Sequence, residues 1–270
     1  MKLSFVISTQ PTQFQAVAFD PNFDANVARL AQLGYDGVEL AVREPSKLDV
    51  VAIKRTLDKH KLQVPAIGTG QVFVEEHLSF TDPDVAIREQ ALTRVQSHIE
   101  LAHEFNALVI IGLIRGKVQP NVAREQAYAW LVESMKKVAR AASARDVRVV
   151  IEPINRYETD LVNNVPDALT LVEEIGARNV GVLFDTFHAN IEEPRIETGL
   201  MVCRSHLFHV HIADSNRWYP GAGHTDFGRV IATLRAMKYG GWISAEILPK
   251  PEMLRAAEQT MRTMKDFLGK

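Results

Sequence analysis

Four short apolar segments of the chain each end on a side chain that can bind a divalent metal ion. The end residues are Glu152, Asp185, His211 and Glu246. They follow one another at intervals of 33, 26 and 35 residues, close to the length of one strand followed by one helix. Because parallel strands end at a common edge, this repetition predicts that the four side chains share one rim and form a metal site.

The types of these side chains indicate which metal the site would hold. Two glutamates, one aspartate and one histidine supply three oxygen ligands and one nitrogen ligand. This hard set suits manganese, cobalt or magnesium better than structural zinc. Any one of these residues could instead be a solvated loop acid or a helix cap, but four in succession favour a site. We therefore expect one divalent metal ion as cofactor, with manganese first.

Glu152 and Glu246 end the fifth and eighth predicted strands, which lie three apart in a ring of eight. A small molecule bound to the metal would then fit between two carboxylates. Such a pair suits removal of a proton from one face of a carbon and its return to the other face or to a neighbouring carbon. The metal would polarise the adjacent carbonyl, where negative charge develops. We expect both glutamates to be catalytic as well as metal ligands.

The elements that must position these residues alternate between short β-rich runs and longer stretches with helical spacing. The predicted strands are Leu3–Ser8, Gly37–Val42, Gln63–Gly68, Leu108–Gly112, Arg148–Glu152, Val180–Asp185, Leu207–His211 and Trp242–Glu246. The predicted helices are Asp24–Leu33, Asp49–His60, Asp84–Phe105, Arg124–Ala144, Pro166–Ile175, Ile196–Cys203, Phe227–Met237 and Glu252–Leu268. Eight such units predict an α/β fold with a single (β/α)8 TIM barrel domain over residues 1–270.

A doubly wound open sheet is the main alternative to the barrel. In an open sheet, strands 5 to 8 would spread over roughly 14 Å at ~4.8 Å per strand. A closed ring instead aims the strand ends at a common axis. The convergence of four ligands on one metal therefore favours the barrel.

Composition excludes several classes of partner. The chain has 31 basic and 33 acidic residues and a net charge of −2, so it has no basic field to hold a nucleic acid. It has no run of roughly 20 apolar residues, as a membrane helix requires. Its single cysteine, Cys203, fits a buried thiol in a reducing compartment. We expect a soluble cytoplasmic protein that binds a small molecule, neither nucleic acid nor membrane, and forms at most a homo-oligomer.

Among the other histidines, His209 has the clearest prediction. Side chains alternate along a strand, so His209 and His211 face the same side, into the barrel. Since His211 is at the strand end, it is the better metal ligand, and His209 is expected to be a hydrogen-bonded residue one layer deeper. His60, His98 and His103 fall on helical stretches and are expected at the surface.

Several motifs around these residues resemble a known enzyme family. The motifs are Ile151–Glu158, Phe184–Glu193, His209–Arg217 and Ser244–Glu246, of which the run Asp-Thr-Phe-His-x-Asn-Ile-Glu-Glu is the most specific. They resemble the xylose isomerase-like barrel superfamily of sugar isomerases and epimerases. The resemblance is strongest to its branch of ketose 3-epimerases of the D-tagatose and D-psicose type, and within that branch to epimerases of 5-keto-L-gluconate, a keto-uronic acid.

The resemblance implies metal ligation by the four rim residues and acid/base roles for the two glutamates. It also implies that Glu158, His188 and Arg217 bind the oxygens of a sugar or sugar-acid substrate. Each of these three has a plainer alternative: a loop carboxylate, a helix cap and a loop salt bridge. Arg115, on the same rim, could bind a substrate carboxylate through two parallel hydrogen bonds, or could pair with a loop acid.

The function predicted from the sequence is a metal-dependent epimerase that moves a proton beside the ketone of a ketose or keto-uronic acid, with 5-keto-L-gluconate as the specific candidate. A ketose 3-epimerase is the first alternative, and dehydration of a keto-inositol is a second, because it begins with the same proton removal. An abasic-site endonuclease of the same superfamily would need more histidine ligands and a basic groove. A sugar-binding module without activity would be expected to have lost a ligand.

Overall fold

The computed structural model describes residues 1–17 and 21–269. Its centre is a ring of eight parallel strands in which each strand pairs with the next and the eighth pairs with the first. The strands are β1 Lys2–Ser8, β2 Gly37–Ala41, β3 Ala66–Gly68, β4 Leu108–Ile111, β5 Val149–Ile151, β6 Val180–Asp185, β7 Leu207–Ile212 and β8 Trp242–Ala245. The ring confirms the predicted α/β barrel, and the open-sheet alternative is wrong.

Ten α-helices of the described chain surround the ring. They are α1 Phe23–Leu33, α2 Val50–His60, α3 Gly70–Glu76, α4 Val85–Phe105, α5 Arg124–Ser143, α6 Val165–Ile175, α7 Thr186–Glu192, α8 Ile196–Val202, α9 Phe227–Ala236 and α10 Met253–Leu268. Two short 3-10 helices, Pro45–Lys47 and Leu113–Arg115, follow β2 and β4. None of the helices in the described ranges has the length and apolar character needed to cross a membrane.

Local sequence signals account for helix boundaries such as those of α6. The side chain of Asn164 accepts a hydrogen bond of 2.9 Å from the amide of Asp167 and so caps the first turn. Pro166 occupies the first turn, where its missing N–H costs nothing. Gly176 ends the helix with a left-handed backbone at φ 67°, a conformation that glycine adopts without steric cost. This helix therefore begins and ends where its sequence dictates.

The structure departs from the predicted elements at several places. β5 and β8 end one residue early, so Glu152 and Glu246 lie just beyond their strands. The short helices α3 and α7 were not predicted. His98 is not a surface residue: it faces inward from α4, is fully buried, and its two ring nitrogens lie 2.8 Å from the carbonyls of Arg94 and Val42. Cys203 is buried, as predicted.

Apolar packing occurs in separate layers outside and inside the ring. One large cluster fills the space between the strands and the helices, with Val109, Ile151 and Phe184 among its strand residues. A second cluster lies inside the ring and consists of Ala66, Leu108, Ile110, Val150 and Leu183. These five residues come from β3 to β6 and alternate with the outward-facing residues of the same strands, as the two-residue period of a strand requires.

The middle of the interior along β7, β8, β1 and β2 is polar instead, and a third, small apolar cluster with Val6 and Ala41 lies nearer the rim. His209, Ser244, Ser4 and Glu39 are all buried there, with at most 1% of any residue exposed. They form one hydrogen-bonded group: His209 contacts both Glu39 and Ser244, and Ser244 contacts Ser4. The barrel interior thus has an apolar half under the ends of β3 to β6 and a polar half under the ends of β7 to β2.

Candidate metal and substrate site

The four predicted metal ligands meet at the carboxyl end of the barrel. Asp185 is the last residue of β6, His211 lies in β7, and Glu152 and Glu246 directly follow β5 and β8. One ligand atom from each of the four lies within 4.8 Å of the others. All four residues are buried, Glu246 being the most exposed at 9%. The barrel therefore brings together side chains that are far apart in the sequence.

Three of these ligand atoms have no hydrogen-bond partner within the described chain. They are Oε1 of Glu152, Oδ2 of Asp185 and Nδ1 of His211. Leaving a buried acceptor without a partner costs about 1–3 kcal/mol, so such atoms are rare in folded proteins. Nδ1 of His211 lies 3.7 Å both from Oε1 of Glu152 and from Oε2 of Glu246. Three unsatisfied acceptors turned toward one point match what a cation needs, so the residues fit a divalent metal.

Burial and neighbouring charges shift the pKa values of the three carboxyl groups in different directions. It raises the pKa of Glu152, and it raises that of Asp185 to about 7, to which the nearby charge of Glu152 contributes. Burial acts on Glu246 in the same direction, but the nearby His211 and the charge of Arg217 lower its pKa overall. Burial therefore favours the protonated forms of Asp185 and Glu152 in the metal-free site, whereas a bound cation would favour their ionised forms.

A glycine makes room for Glu152. A Cβ atom on Gly112, directly after β4, would lie 2.7 Å from Oε2 of Glu152. This contact is with the carboxylate itself, beside the other three side chains of the cluster. A side chain at position 112 would therefore displace the Glu152 carboxylate.

His188 lies beside the ligand cluster in a defined tautomer. Its Nε2 lies 3.8 Å from Oδ2 of Asp185 and 3.9 Å from Oε1 of Glu152. Its Nδ1 accepts a hydrogen bond of 2.8 Å from the side-chain amide of Asn155. Burial and the charge of Arg217 lower the pKa of His188 well below its usual range, so the ring is neutral. A neutral ring that accepts at Nδ1 carries its proton on Nε2, which points into the site as a donor.

Arg217 joins a loop carboxylate to the ligand cluster. It donates to Glu158 over 2.8 Å through Nη1 and to Glu246 over 3.1 Å through Nη2. Its backbone is left-handed at φ 61°, a conformation unfavourable for a residue with a Cβ. The loop is held in this shape by Asp214, whose carbonyl and carboxylate accept amide hydrogen bonds from Arg217 and Gly221. The guanidinium is therefore fixed over the cluster.

Arg115 does not take part in this site, and the prediction that it binds a substrate carboxylate is wrong. It is fully buried, and its guanidinium donates to the backbone carbonyls of Gly112, Glu152, Leu161 and Val162 over 2.8–3.0 Å. The loop-acid alternative is also wrong, because these partners are backbone carbonyls. Arg115 joins the segments that follow β4 and β5 and holds the backbone of Glu152 in place.

The ligand cluster lies at the bottom of a narrow cavity with a wide mouth. The inner cavity measures about 30 Å³, which is room for an ion or a water molecule. It shares Phe14, Leu113, Glu158 and Arg217 with an outer cavity of about 630 Å³, which Lys117 also lines. A larger cavity of about 830 Å³ lies at the opposite end, where the strands begin, and none of the four ligands lines it. Cavity size alone therefore does not locate this site.

Among the residues of the site region, Glu39, Lys117 and Phe14 were not predicted from the sequence. Glu39 was the easiest of them to predict, because a glutamate in the middle of the otherwise apolar run Gly37–Ala41 indicates a buried charge with partners. Its carboxylate contacts both His209 and His211. Lys117 and Phe14 lie in loops, where no pattern indicates which side chains reach the mouth.

Comparison with known proteins relates this geometry to a family. A family model described as "Xylose isomerase-like TIM barrel" matches residues 27–267. The L-ribulose 3-epimerase of Methylomonas sp. strain DH-1 is 30% identical over 222 residues, which cover 82% of this chain and 76% of the relative. The ketose 3-epimerase of Arthrobacter globiformis is 31% identical over 230 residues, covering 82% and 77%.

A solved structure shows the same fold at lower sequence identity. The D-allulose 3-epimerase from Methylomonas sp. in complex with D-allulose superposes with a TM-score of 0.82 at 23% identity, covering 100% of this chain and 96% of that one.

Proposed function

Because the chain belongs to the xylose isomerase-like TIM-barrel family, and its curated relatives are sugar epimerases, we propose that it is a divalent-metal-dependent epimerase acting at the carbon beside the ketone of a ketose or keto-uronic acid. The observation that carries the proposal is the convergence of Glu152, Asp185, His211 and Glu246, whose ligand atoms lie within 4.8 Å of one another. A cation bound there would act as a Lewis acid toward the substrate carbonyl.

The side chains of the chain itself have separate tasks in this reaction. One of Glu152 and Glu246 takes the proton from the carbon next to the carbonyl, and the electron pair of that C–H bond forms the enediolate. The other glutamate delivers a proton to the opposite face, so the configuration inverts and the atoms balance. His188 and Arg217 donate to substrate oxygens through Nε2–H and the guanidinium. The narrow inner cavity limits access of bulk water to the enediolate.

For the substrate we propose a keto-uronic acid, with 5-keto-L-gluconate as the specific candidate. Since Arg115 is buried, the carboxylate needs another cation. Lys117 lines the outer cavity, is partly exposed, and has no ion pair or side-chain hydrogen bond within the described residues. The positive charge of Arg217 is already balanced by Glu158 and Glu246, so its remaining donor suits a neutral substrate oxygen rather than a carboxylate. Lys117 is thus the cation at the mouth that is available to a substrate carboxylate.

A ketose 3-epimerase is the second candidate. It is favoured by the names of the relatives, which are epimerases of L-ribulose and other ketoses, and by the burial of Arg115. In this case the wall formed by Phe14 and Leu113 would face the end of a neutral sugar, and Lys117 would have no role in binding.

The test of the reaction is proton exchange in D2O with Mn²⁺. We expect the wild type to incorporate solvent deuterium beside the ketone and to yield an epimer of otherwise unchanged mass, whereas a dehydratase product would lack one water. Glu246→Gln should lower the rate of exchange by about 10²–10⁴-fold, the typical contribution of a general base. Glu258→Gln, which alters a carboxylate on α10, is the control. Unimpaired exchange in Glu246→Gln would refute the acid/base role.

The test of the substrate is a comparison of 5-keto-L-gluconate with D-tagatose, D-psicose and L-ribulose. If a keto-uronate is the substrate, Lys117→Gln should raise its KM by about tenfold or more, because a hydrogen bond between charged groups contributes about 1.5–3 kcal/mol. Activity on neutral ketoses should not change, and Lys59→Gln, an exposed lysine on α2, should behave as wild type. Turnover of neutral ketoses alone, insensitive to Lys117, would favour the second candidate.

A further inference from the structure

Glu39 is a buried carboxylate in the middle of β2 to which the proposed reaction assigns no task. Its side chain is 1% exposed. Removing a carboxylate from water is costly unless it has good partners, so a residue of this kind is retained only where it is well bonded. Glu39 has two such partners: Oε1 lies 2.9 Å from Nε2 of His211, and Oε2 lies 2.7 Å from Nε2 of His209.

The contact with His211 determines which of its nitrogens can bind a metal. A carboxylate only accepts hydrogen bonds, so the nitrogen that faces Glu39 must carry a proton. That nitrogen is Nε2. Nδ1 points the other way, toward Glu152 and Glu246, and has no hydrogen-bond partner in the described structure. In a neutral ring with its proton on Nε2, Nδ1 presents a lone pair to the ligand cluster.

We propose that Glu39 is the positioning residue of the metal site: it holds His211 in the Nε2–H tautomer and in the ring orientation that directs Nδ1 at the cation. An anionic partner on the outer nitrogen also makes the ligating nitrogen a stronger base. This inference rests on the metal site of the proposed function, but it concerns a residue outside the four proposed ligands.

Glu39 is itself fixed from the side opposite His211. His209 binds its second oxygen, and Ser244 lies 3.1 Å from the same nitrogen of His209. Ser244 in turn contacts Ser4 of β1. The chain of contacts from Ser4 to His211 crosses four neighbouring strands, so the imidazole is anchored by the barrel rather than by a loop. The rings of His209 and His211 are 5.3 Å apart and nearly perpendicular, so the two do not stack.

The first test is the dissociation constant for Mn²⁺, measured by the electron paramagnetic resonance signal of the free ion. Glu39→Gln keeps the size of the side chain and removes its charge, and we expect a constant about 10–100-fold higher than in the wild type. Glu39→Asp keeps the charge but shortens the reach to His211, and should fall between the two. Ser134→Ala is the control, because it removes a buried hydroxyl on α5, outside the ring of strands; its constant should equal that of the wild type.

A second readout separates positioning from general stability. In the Co²⁺-loaded wild type, the Nε2 proton of His211 should give a hyperfine-shifted proton resonance that exchanges slowly with solvent, because it is bonded to Glu39 in the closed interior. In Glu39→Gln this resonance should shift and exchange faster, while in Ser134→Ala it should be unchanged. If the Glu39 variants do not fold, the wild-type spectrum alone tests whether the Nε2 proton of His211 is bonded to Glu39.

The outcomes distinguish this inference from the proposed function. A wild-type protein that binds no Mn²⁺ would overturn both. A wild type that binds Mn²⁺, together with Glu39 variants of equal affinity, would overturn only the role of Glu39. Absence of the slowly exchanging resonance in the Co²⁺-loaded wild type would do the same.

Discussion

The two halves of the barrel interior support the same rim with different side chains. Beneath Glu152 and Asp185 lie the apolar residues of β3 to β6, among them Leu108 and Val150. These offer no hydrogen bonds to the two carboxylates, which are left with unsatisfied oxygens and raised pKa values. Beneath His211 lies the polar group, where burial opposes ionisation of Glu39 but contact with the two histidines lowers its pKa overall.

This difference shows how a fold can prepare a metal site from two directions. The polar half fixes the orientation of a ligand by bonding the atom that does not bind the metal. The apolar half withholds partners from ligand oxygens, so that a cation becomes their best partner. The contribution of the polar half should appear in the affinity for the metal, and that of the apolar half in the stability of the metal-free protein. Substitutions in the two halves can measure the two contributions separately.

The largest expected effect on stability comes from the apolar half. Leu108→Ala removes a buried side chain from the interior cluster and should destabilise the protein by about 2–5 kcal/mol. The Mn²⁺ affinity of the folded variant should remain that of the wild type, because Leu108 lies at the start of β4, away from the rim. Urea unfolding and Mn²⁺ titration measure the two quantities. Reduced affinity at unchanged stability would contradict the division between the halves.

The next largest effect is on the stability of the metal-free protein and depends on pH. Because the pKa of Asp185 is raised from 3.8 to about 7 in the folded protein, its contribution to the stability of the metal-free protein is fully present below pH 3.8 and is lost as the pH rises through 7. Metal-free Asp185→Asn should therefore be more stable than metal-free wild type above pH 7, by about 1–4 kcal/mol at ~1.4 kcal/mol per pKa unit.

The advantage of Asp185→Asn should shrink as the pH is lowered from 7 toward 4, and Mn²⁺ should reverse it by stabilising only the wild type. Unfolding in the presence of a chelator, followed across this pH range, checks both statements. A variant less stable than the metal-free wild type above pH 7 would show that the ionised carboxylate is not costly.

The smallest effect is expected at the edge of the polar half. Ser244→Ala removes the hydroxyl that contacts His209 and Ser4 and should cost about 1 kcal/mol. Thermal or urea unfolding measures this cost. A loss several times larger would mean that the polar half contributes to stability as much as the apolar half does.

Much of this arrangement could be predicted from the sequence. The barrel and the convergence of Glu152, Asp185, His211 and Glu246 followed from strand periodicity and from the spacing of the strand ends, which are local signals. The burial of His209 followed from its parity with His211. These predictions succeeded because β-strand alternation fixes which side of the ring a residue faces, whatever else surrounds it.

The predictions that failed concern side chains whose partners lie in several segments distant in the sequence. Arg115 had the right position for a rim residue, but its guanidinium is turned away to four carbonyls from two loops. His98 was placed at the surface because the weak amphipathicity of α4 does not indicate which face of the helix packs on the barrel. Glu39 carried a usable signal in its apolar surroundings, but its partners lie 170 and 172 residues away. Sequence patterns indicate burial more readily than they indicate partners.

The central claim is that one divalent cation is bound by Glu152, Asp185, His211 and Glu246. The most direct measurement is a crystal soaked with Mn²⁺ and recorded for anomalous scattering. We predict one strong peak enclosed by the four side chains, with His211 coordinating through Nδ1 and Nε2 remaining bonded to Glu39. No peak at this rim, or a peak bound at another part of the protein, would contradict the account.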